Sequence, residues 1–367
     1  SVFIFNLIIL FLFIKCKIKK LYMTKNIKFY NTASKAKEIF QPINNNIVKI
    51  YSCGPTVYSD PHIGNMRAYV FSDLLKRTLL DYGYTVEHVI NITDVGHLTS
   101  DADDGEDKLE KASKKENLSA YEIAKHYTNI FFKDLENLNI ISADHYPRAT
   151  DTIQEQIDMV KTLMDKGYAY KISDGIYFDT SKYDDYNKLA NLDLEGLEAG
   201  ERVNFNTEKR NKSDFALWKF SNPSDNRQME WNSPFGTGFP GWHIECSAMA
   251  KKFLGKYIDI HTGGIDHIPV HHTNEKAQSE VCNEHKFVNY WMHVNFLNTK
   301  DKMSKSKGNT ITINDLKNEG YSYNAIKFFY LMTHYRSEIN FSLENLDHAK
   351  KRYKKLKNKV ANIRSKL

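Results

Sequence analysis

Residues 47–93 constrain the fold more than any other part of the chain. "IVKIYSC" (47–53) is a short apolar, β-branched run. Apolar residues then recur at helical spacing from Ile63 to Asp81, until Gly83 interrupts them, and "TVEHVINIT" (85–93) is a second strand-like run. Strand, helix and strand in succession make a βαβ unit, the half-module of a doubly wound parallel sheet. The expected fold class is therefore α/β and Rossmann-like. No G-x-G-x-x-G run opens the helix at Ile63, so a dinucleotide-binding dehydrogenase is not supported. His62 and Asn65 open it instead. Three residues apart, they share a face of the first turn, where unpaired N–H groups and the helix dipole already favour a phosphate.

The rest of the chain divides around this unit. Residues 1–22 pair an apolar run, "VFIFNLIILFLFI", with a basic cluster. The run is shorter than the roughly 20 residues a bilayer-spanning helix needs. Met23 is read as the natural start, with 1–22 outside the fold and a membrane anchor as the lesser alternative. Residues 23–100 form the first half of the nucleotide-binding domain. Residues 101–225 read as an α+β insertion: an acidic loop, helical patterns at 118–139 and 150–167, and a hairpin, "YAYKISDGIYFD", turning at Asp-Gly. The second half, 226–299, contains a helix at "GWHIECSAMAKKF", a strand at "YIDIHTGG", a helix from "HHTNEKAQSEV" and a strand-like run, "VNYWMHVNFLNT". Residues 300–342 hold a basic loop and two helical patterns, and 343–367 a lysine-rich helix.

Composition narrows the chemistry only a little. A net charge of +6 permits an anionic partner such as ATP or RNA without requiring one. Cys16, Cys53, Cys246 and Cys282 are four widely spaced cysteines, which suits thiols or metal ligands in a reducing compartment better than a disulfide framework.

Three constellations carry chemistry. Cys53 ends a strand, where open parallel sheets place ligands, and His271 and Glu275 are four apart on one helix face. With Cys246 they offer sulfur, nitrogen and oxygen to one zinc ion. The ligands span more than 200 residues, so spacing leaves the alternatives open: His261, His267 and His272 are equally available donors, and a lone cysteine is more often a small buried hydrophobe. Cys16 and Cys282 take that plainer reading. The second constellation is His62 with Asn65. The third is "KMSKS", in which Lys302 and Lys305 place two ammonium groups three residues apart before Gly308. Such a pair suits the β and γ phosphates of ATP during displacement at the α phosphate.

"HIGN", "KMSKS" and the βαβ pattern together resemble the class I aminoacyl-tRNA synthetases. "CGPTVY", "PGWHIECSAM", "GGID" with "HHTNE", and "NYWMH" resemble the cysteinyl-tRNA synthetase family in particular, from about Tyr30 to Leu343. The resemblance implies ATP-dependent activation of L-cysteine, with Mg2+, and its transfer to the terminal adenosine of tRNA(Cys) by a cytoplasmic monomer without a membrane partner. It implies one Zn2+ on Cys53, Cys246, His271 and Glu275 as a sieve for cysteine against serine, and a substrate pocket lined by Thr93 and Trp242. It also implies ATP contacts from His62 and Asn65 to the phosphates and from Gly264 and Asp266 to adenine and ribose, with Lys302 and Lys305 clamping the pyrophosphate.

Two departures qualify it. Asn65 stands where the family's first signature usually ends in histidine, and an amide cannot become cationic. The chain also ends within the first helices of the expected C-terminal bundle, short of an anticodon-reading domain. The competing readings are the cysteine ligase of mycothiol biosynthesis, which lacks that domain, and a non-catalytic synthetase paralogue that binds cysteine, zinc or RNA.

Overall fold

The structure is a computed structural model that describes residues 27–96, 107–190, 206–222, 227–299 and 310–366. The N-terminal run, Cys16, the acidic loop at 100–108 except its last two residues, and the "KMSKS" segment with Lys302 and Lys305 lie outside the described residues.

A parallel four-stranded sheet forms the centre. Its strands are β3 (Ile47–Ser52), β4 (Thr85–Ile90), β9 (Ile258–Gly264) and β10 (Val288–Val294), in the order β10-β9-β3-β4. A small antiparallel hairpin, β1 (Lys28–Asn31) with β2 (Ala36–Ile39), precedes it. Period-two alternation divides the sheet's side chains between two cores. Val48, Ile50, Val86 and Ile260 pack with Phe71, Leu75 and Leu79 of helix α1 (Ile63–Asp81). Tyr51, Val89 and Trp291 face the other way, against Met249 and Leu254 of α5 (Trp242–Leu254). Helix α1 thus spans the residues its apolar spacing predicts; Gly83, at φ +83°, follows its C-cap, Tyr82.

The strand order reverses between β3 and β9: β4 lies on one side of β3, and β9 and β10 lie on the other. Open α/β sheets bind ligands at such a switch, outside the carboxyl ends of the strands. Cys53 follows β3 there, tied to β9 by its backbone N–H donating to the Thr262 carbonyl at 3.0 Å.

Helices α2 (Lys108–Glu116), α3 (Ala120–Asn137) and α4 (Ile153–Asp165) follow β4. A second sheet is antiparallel, in the order β5 (Ala169–Ile172), β6 (Gly175–Phe178), β7 (Phe215–Phe220), β8 (Gly238–Pro240). The hairpin differs from expectation by one residue. Ile172 pairs with Gly175, so Ser173 and Asp174 make the turn and Gly175 belongs to the strand. The reason is steric: a Cβ on Gly175 would lie 2.4 Å from the Trp218 carbonyl of β7. Strand β8 returns the chain through Gly241 directly into α5.

After β9 the chain makes one π-helical turn, Ile268–His272, and continues as α6 (Thr273–Asn283), which leads to β10. Beyond it come β11 (Leu297–Asn298), α7 (Ile313–Asn318), α8 (Tyr323–Leu331), β12 (Ile339–Asn340), paired with β11, and α9 (Leu343–Arg364). Among the described residues no helix is long and apolar enough to cross a membrane.

Candidate active site

The sequence-predicted metal ligands converge. Ligand atoms of Cys53, Cys246, His271 and Glu275 all lie within 4.8 Å of one another, and all four side chains are buried. Each arrives on a different device. Cys53 directly follows β3, Cys246 sits on the second turn of α5, and the π turn delivers His271 one helical turn before Glu275. π turns are concentrated at functional sites because the extra residue re-aims side chains that a regular helix would stack.

The group is prearranged by its own contacts. His271 Nε2 lies 3.0 Å from Glu275 Oε1, and its Nδ1 lies 2.9 Å from His243 Nδ1. Glu275 Oε2 meets His261 Nε2 at 3.0 Å, and Cys53 Sγ meets His272 Nε2 at 3.2 Å. Burial opposes a charge on Glu275, yet His261 and His271 hold its carboxyl well below the usual carboxylate range. Burial also opposes a charge on His271, but Glu275 and Cys246 overcome it and raise its pKa to about 10. Of the two thiols, Cys246 is the more acidic, lowered to about 7 chiefly by its hydrogen bond with Cys53. Burial pushes the Cys53 thiol up. His261 and His272, open alternatives on sequence grounds, form a second compatible group with Cys53 and Glu275. Among the described residues His267 belongs to neither group, although its ring lies 5.2 Å from that of His271.

Trp242 opens α5 and lays its half-buried ring against His271, with centroids 4.3 Å apart. Thr93 is buried beyond the end of β4, its Oγ1 accepting from Asn91 Nδ2 at 3.0 Å. Asn91 is a residue the sequence did not single out. Its Oδ1 also accepts from the Gly54 N–H at 2.8 Å, so one amide ties the loop carrying Cys53 to Thr93. Its signal was present, as the only side chain in "VINIT" before Thr93 able both to donate and to accept, but the strand pattern masked it.

At the start of α1 the structure adds a detail. His62 is the N-cap of α1: its Nδ1 accepts from the Asn65 N–H at 3.2 Å, and Asn65 Oδ1 accepts from the His62 N–H at 3.1 Å. The two residues form a reciprocal capping box. Gly264 ends β9 across the switch crevice, and Asp266 is exposed in the following turn. Arg67, one turn into α1, was also missed. It is buried, and it donates to the carbonyls of Asn295 (2.6 Å), Phe296 (2.5 Å), His334 (3.3 Å) and Ser337 (2.6 Å). It thus joins α1 to the strand that leaves the sheet before residue 300.

Comparison with known proteins agrees with this architecture. Residues 39–351 match the family described as tRNA synthetases class I (C) catalytic domain. The chain is 53% identical over 322 residues to cysteine-tRNA ligase 1 of Burkholderia lata, covering 87% of this chain and 68% of that protein. It is 49% identical to the cysteine-tRNA ligase of Treponema denticola, over 92% of this chain and 68% of that protein. Among solved structures, Mycobacterium tuberculosis methionyl-tRNA synthetase in complex with methionyl-adenylate superposes with a TM-score of 0.60 at 15% identity, covering 83% of this chain and 68% of that one. That last likeness speaks to the fold alone. The chain belongs to the cysteine-tRNA ligase family of class I tRNA synthetases, of whose length it spans about two thirds.

Proposed function

We propose that the chain activates L-cysteine with ATP and transfers the cysteinyl group to the 3′-terminal adenosine of tRNA(Cys), using one Zn2+ held by Cys53, Cys246, His271 and Glu275. The observation that carries this reading is the meeting of those four buried donors at the switch point of the sheet. The donor set fits the ion: two thiols, an imidazole and a carboxylate suit zinc and are foreign to magnesium or calcium sites. When bound, the ion supplies a soft centre that takes a substrate thiolate and leaves the serine hydroxyl.

The chain's own residues account for the remaining chemistry. In activation a cysteine carboxylate oxygen bonds to the α phosphorus, the bond to the β-phosphate oxygen breaks, and pyrophosphate leaves. Such a step needs placement and charge stabilisation more than covalent help. The capped start of α1 offers its N–H groups and dipole to the phosphates of ATP, which brings its own Mg2+. Asn65 commits Oδ1 to the His62 N–H, so the group it offers a phosphate is its Nδ2 donor. Lys302 and Lys305 clamp the departing pyrophosphate, and Gly264 and Asp266 border adenine and ribose. Trp242 covers the amino acid from the His271 side, and Thr93 orients its amino group. The solvent-facing lysines of α9, such as Lys351 and Lys355, meet tRNA phosphates. We place the enzyme in the cytoplasm, acting as a monomer.

ATP-pyrophosphate exchange tests the reading. Cysteine drives exchange and serine does not, and chelation abolishes it. Exchange that survives complete metal removal with its cysteine preference intact refutes the zinc role. Absence of exchange in zinc-loaded protein refutes the activity.

A further inference from the structure

Cys53 and Glu275 serve two sets of partners. Besides the set with Cys246 and His271, their ligand atoms lie within 4.8 Å of those of His261 and His272. Three edges of this second group, taken through Glu275 Oε1, are 3.2 Å from Cys53 Sγ to His272 Nε2, 3.8 Å from Cys53 Sγ to Glu275 Oε1 and 3.9 Å from His272 Nε2 to Glu275 Oε1, while His261 Nε2 meets the other carboxylate oxygen, Oε2, at 3.0 Å. A tetrahedral ion with bonds of about 2.0–2.3 Å has ligand-to-ligand edges of roughly 3.3–3.8 Å, so the group is close to the required size.

We propose that the pocket floor contains two overlapping seats for one divalent ion: the pair Cys246 and His271 completes one, and the pair His261 and His272 completes the other. This rests on the reading that an ion binds here at all. Both seats use the Cys53 sulfur, so one ion occupies one seat at a time. They have different surroundings. His271 packs against half-buried Trp242, whereas His261 and His272 pack against Trp291 in the core, with centroids 4.8 and 5.1 Å away. His272 has the backing a ligand needs. Its Nδ1 lies 2.7 Å from His293 Nε2, and His293 Nδ1 lies 2.7 Å from Thr32 Oγ1. With His272 Nδ1–H donating to His293, and His293 Nδ1–H donating to Thr32, the His272 Nε2 lone pair faces the ion. The second seat needs a single thiolate, so it keeps the ion when Cys246 is lost to substitution or oxidation.

Cobalt(II) titration of the full chain, with metal analysis, tests this. Wild type is expected to bind one tetrahedral Co2+ with sulfur-to-cobalt charge transfer from two thiolates. Cys246→Ala and, independently, His271→Ala break only the first seat, so each is expected to keep one tetrahedral ion. Their charge-transfer absorbance should fall by about half, one thiolate remaining of two. Cys53→Ala should bind none, and adding His272→Ala to Cys246→Ala should release the ion. If both single variants fold by circular dichroism but bind no more cobalt than Cys53→Ala, His261 and His272 merely support the first seat and the proposal fails. If one variant does not fold, the other decides. Two ions per wild-type chain also overturn it. No cobalt on wild type sinks the metal reading together with this one, whereas loss in the variants alone sinks only this one.

Discussion

Gly54 offers the sharpest perturbation of the site. It follows Cys53 and runs against Asn91, and a Cβ placed on it would lie 1.6 Å from the Asn91 carbonyl oxygen and 2.6 Å from the carbonyl carbon. Both are backbone atoms and cannot rotate away. Since real Cβ contacts start at about 3.0 Å, Gly54→Ala must push the Cys53 loop and the Asn91 backbone apart by roughly 1.5 Å. The same shift breaks the Gly54 N–H bond to Asn91 Oδ1 and loosens the hold of Asn91 on Thr93. A displacement of about 1 Å in a positioned reactant costs roughly 10²-fold, or about 2.7 kcal/mol of barrier. Gly54→Ala is therefore expected to lower kcat/KM for cysteine in pyrophosphate exchange by about 100-fold or more and to weaken zinc retention during dialysis against chelator. KM for ATP should change much less, because α1 and its cap are not displaced. A variant within threefold of wild type in both kcat/KM and zinc content would refute the reasoning.

Three further outcomes follow from other parts of the molecule. Arg67→Lys replaces a planar fork that reaches four carbonyls with a point donor that cannot serve them all, so a loss of about 2–4 kcal/mol is expected in urea denaturation; an unchanged midpoint would contradict it. Asn65→Asp keeps an acceptor for the His62 N–H but sets an anion at the proposed phosphate contact, so KM for ATP should rise with Tm held, whereas Asn65→Ala should cost about 1 kcal/mol of stability through the lost cap. Burial, with Lys76 nearby, lowers His88 to about 3, so the folded chain leaves it neutral while the unfolded chain protonates it below about 6.5. The unfolded state then binds the extra proton, and stability present above about pH 6.5 is lost toward pH 3 at about 1.4 kcal/mol per unit; His88→Gln should flatten that part of the stability profile.

The sequence revealed most where one physical constraint acted alone. Apolar spacing placed α1 over Ile63–Asp81 because burial on one face suffices to define a helix. It misplaced the hairpin turn, since Asp-Gly is a strong local signal, but contact with Trp218 on a strand some 40 residues away reserves Gly175 for the ladder. Helix α2 went unread: its nine residues are largely charged, and only Leu109, Ala112 and Ser113 are buried. Residue types alone could nominate Cys53, Cys246, His271 and Glu275. Their meeting depends on the order of strands β3 and β9 and on the π turn before α6, and neither leaves a periodic trace. The same limit hid Arg67 and Asn91, whose partners are mostly backbone atoms contributed by other segments.

Zinc K-edge X-ray absorption on zinc-loaded protein, with and without L-cysteine, tests the central claim most directly, because it counts sulfur atoms on the ion. Two sulfurs are expected for the protein alone, three after addition of cysteine, and two after addition of serine. A count that stays at two with saturating cysteine would contradict selection by direct contact between the metal and the substrate thiol.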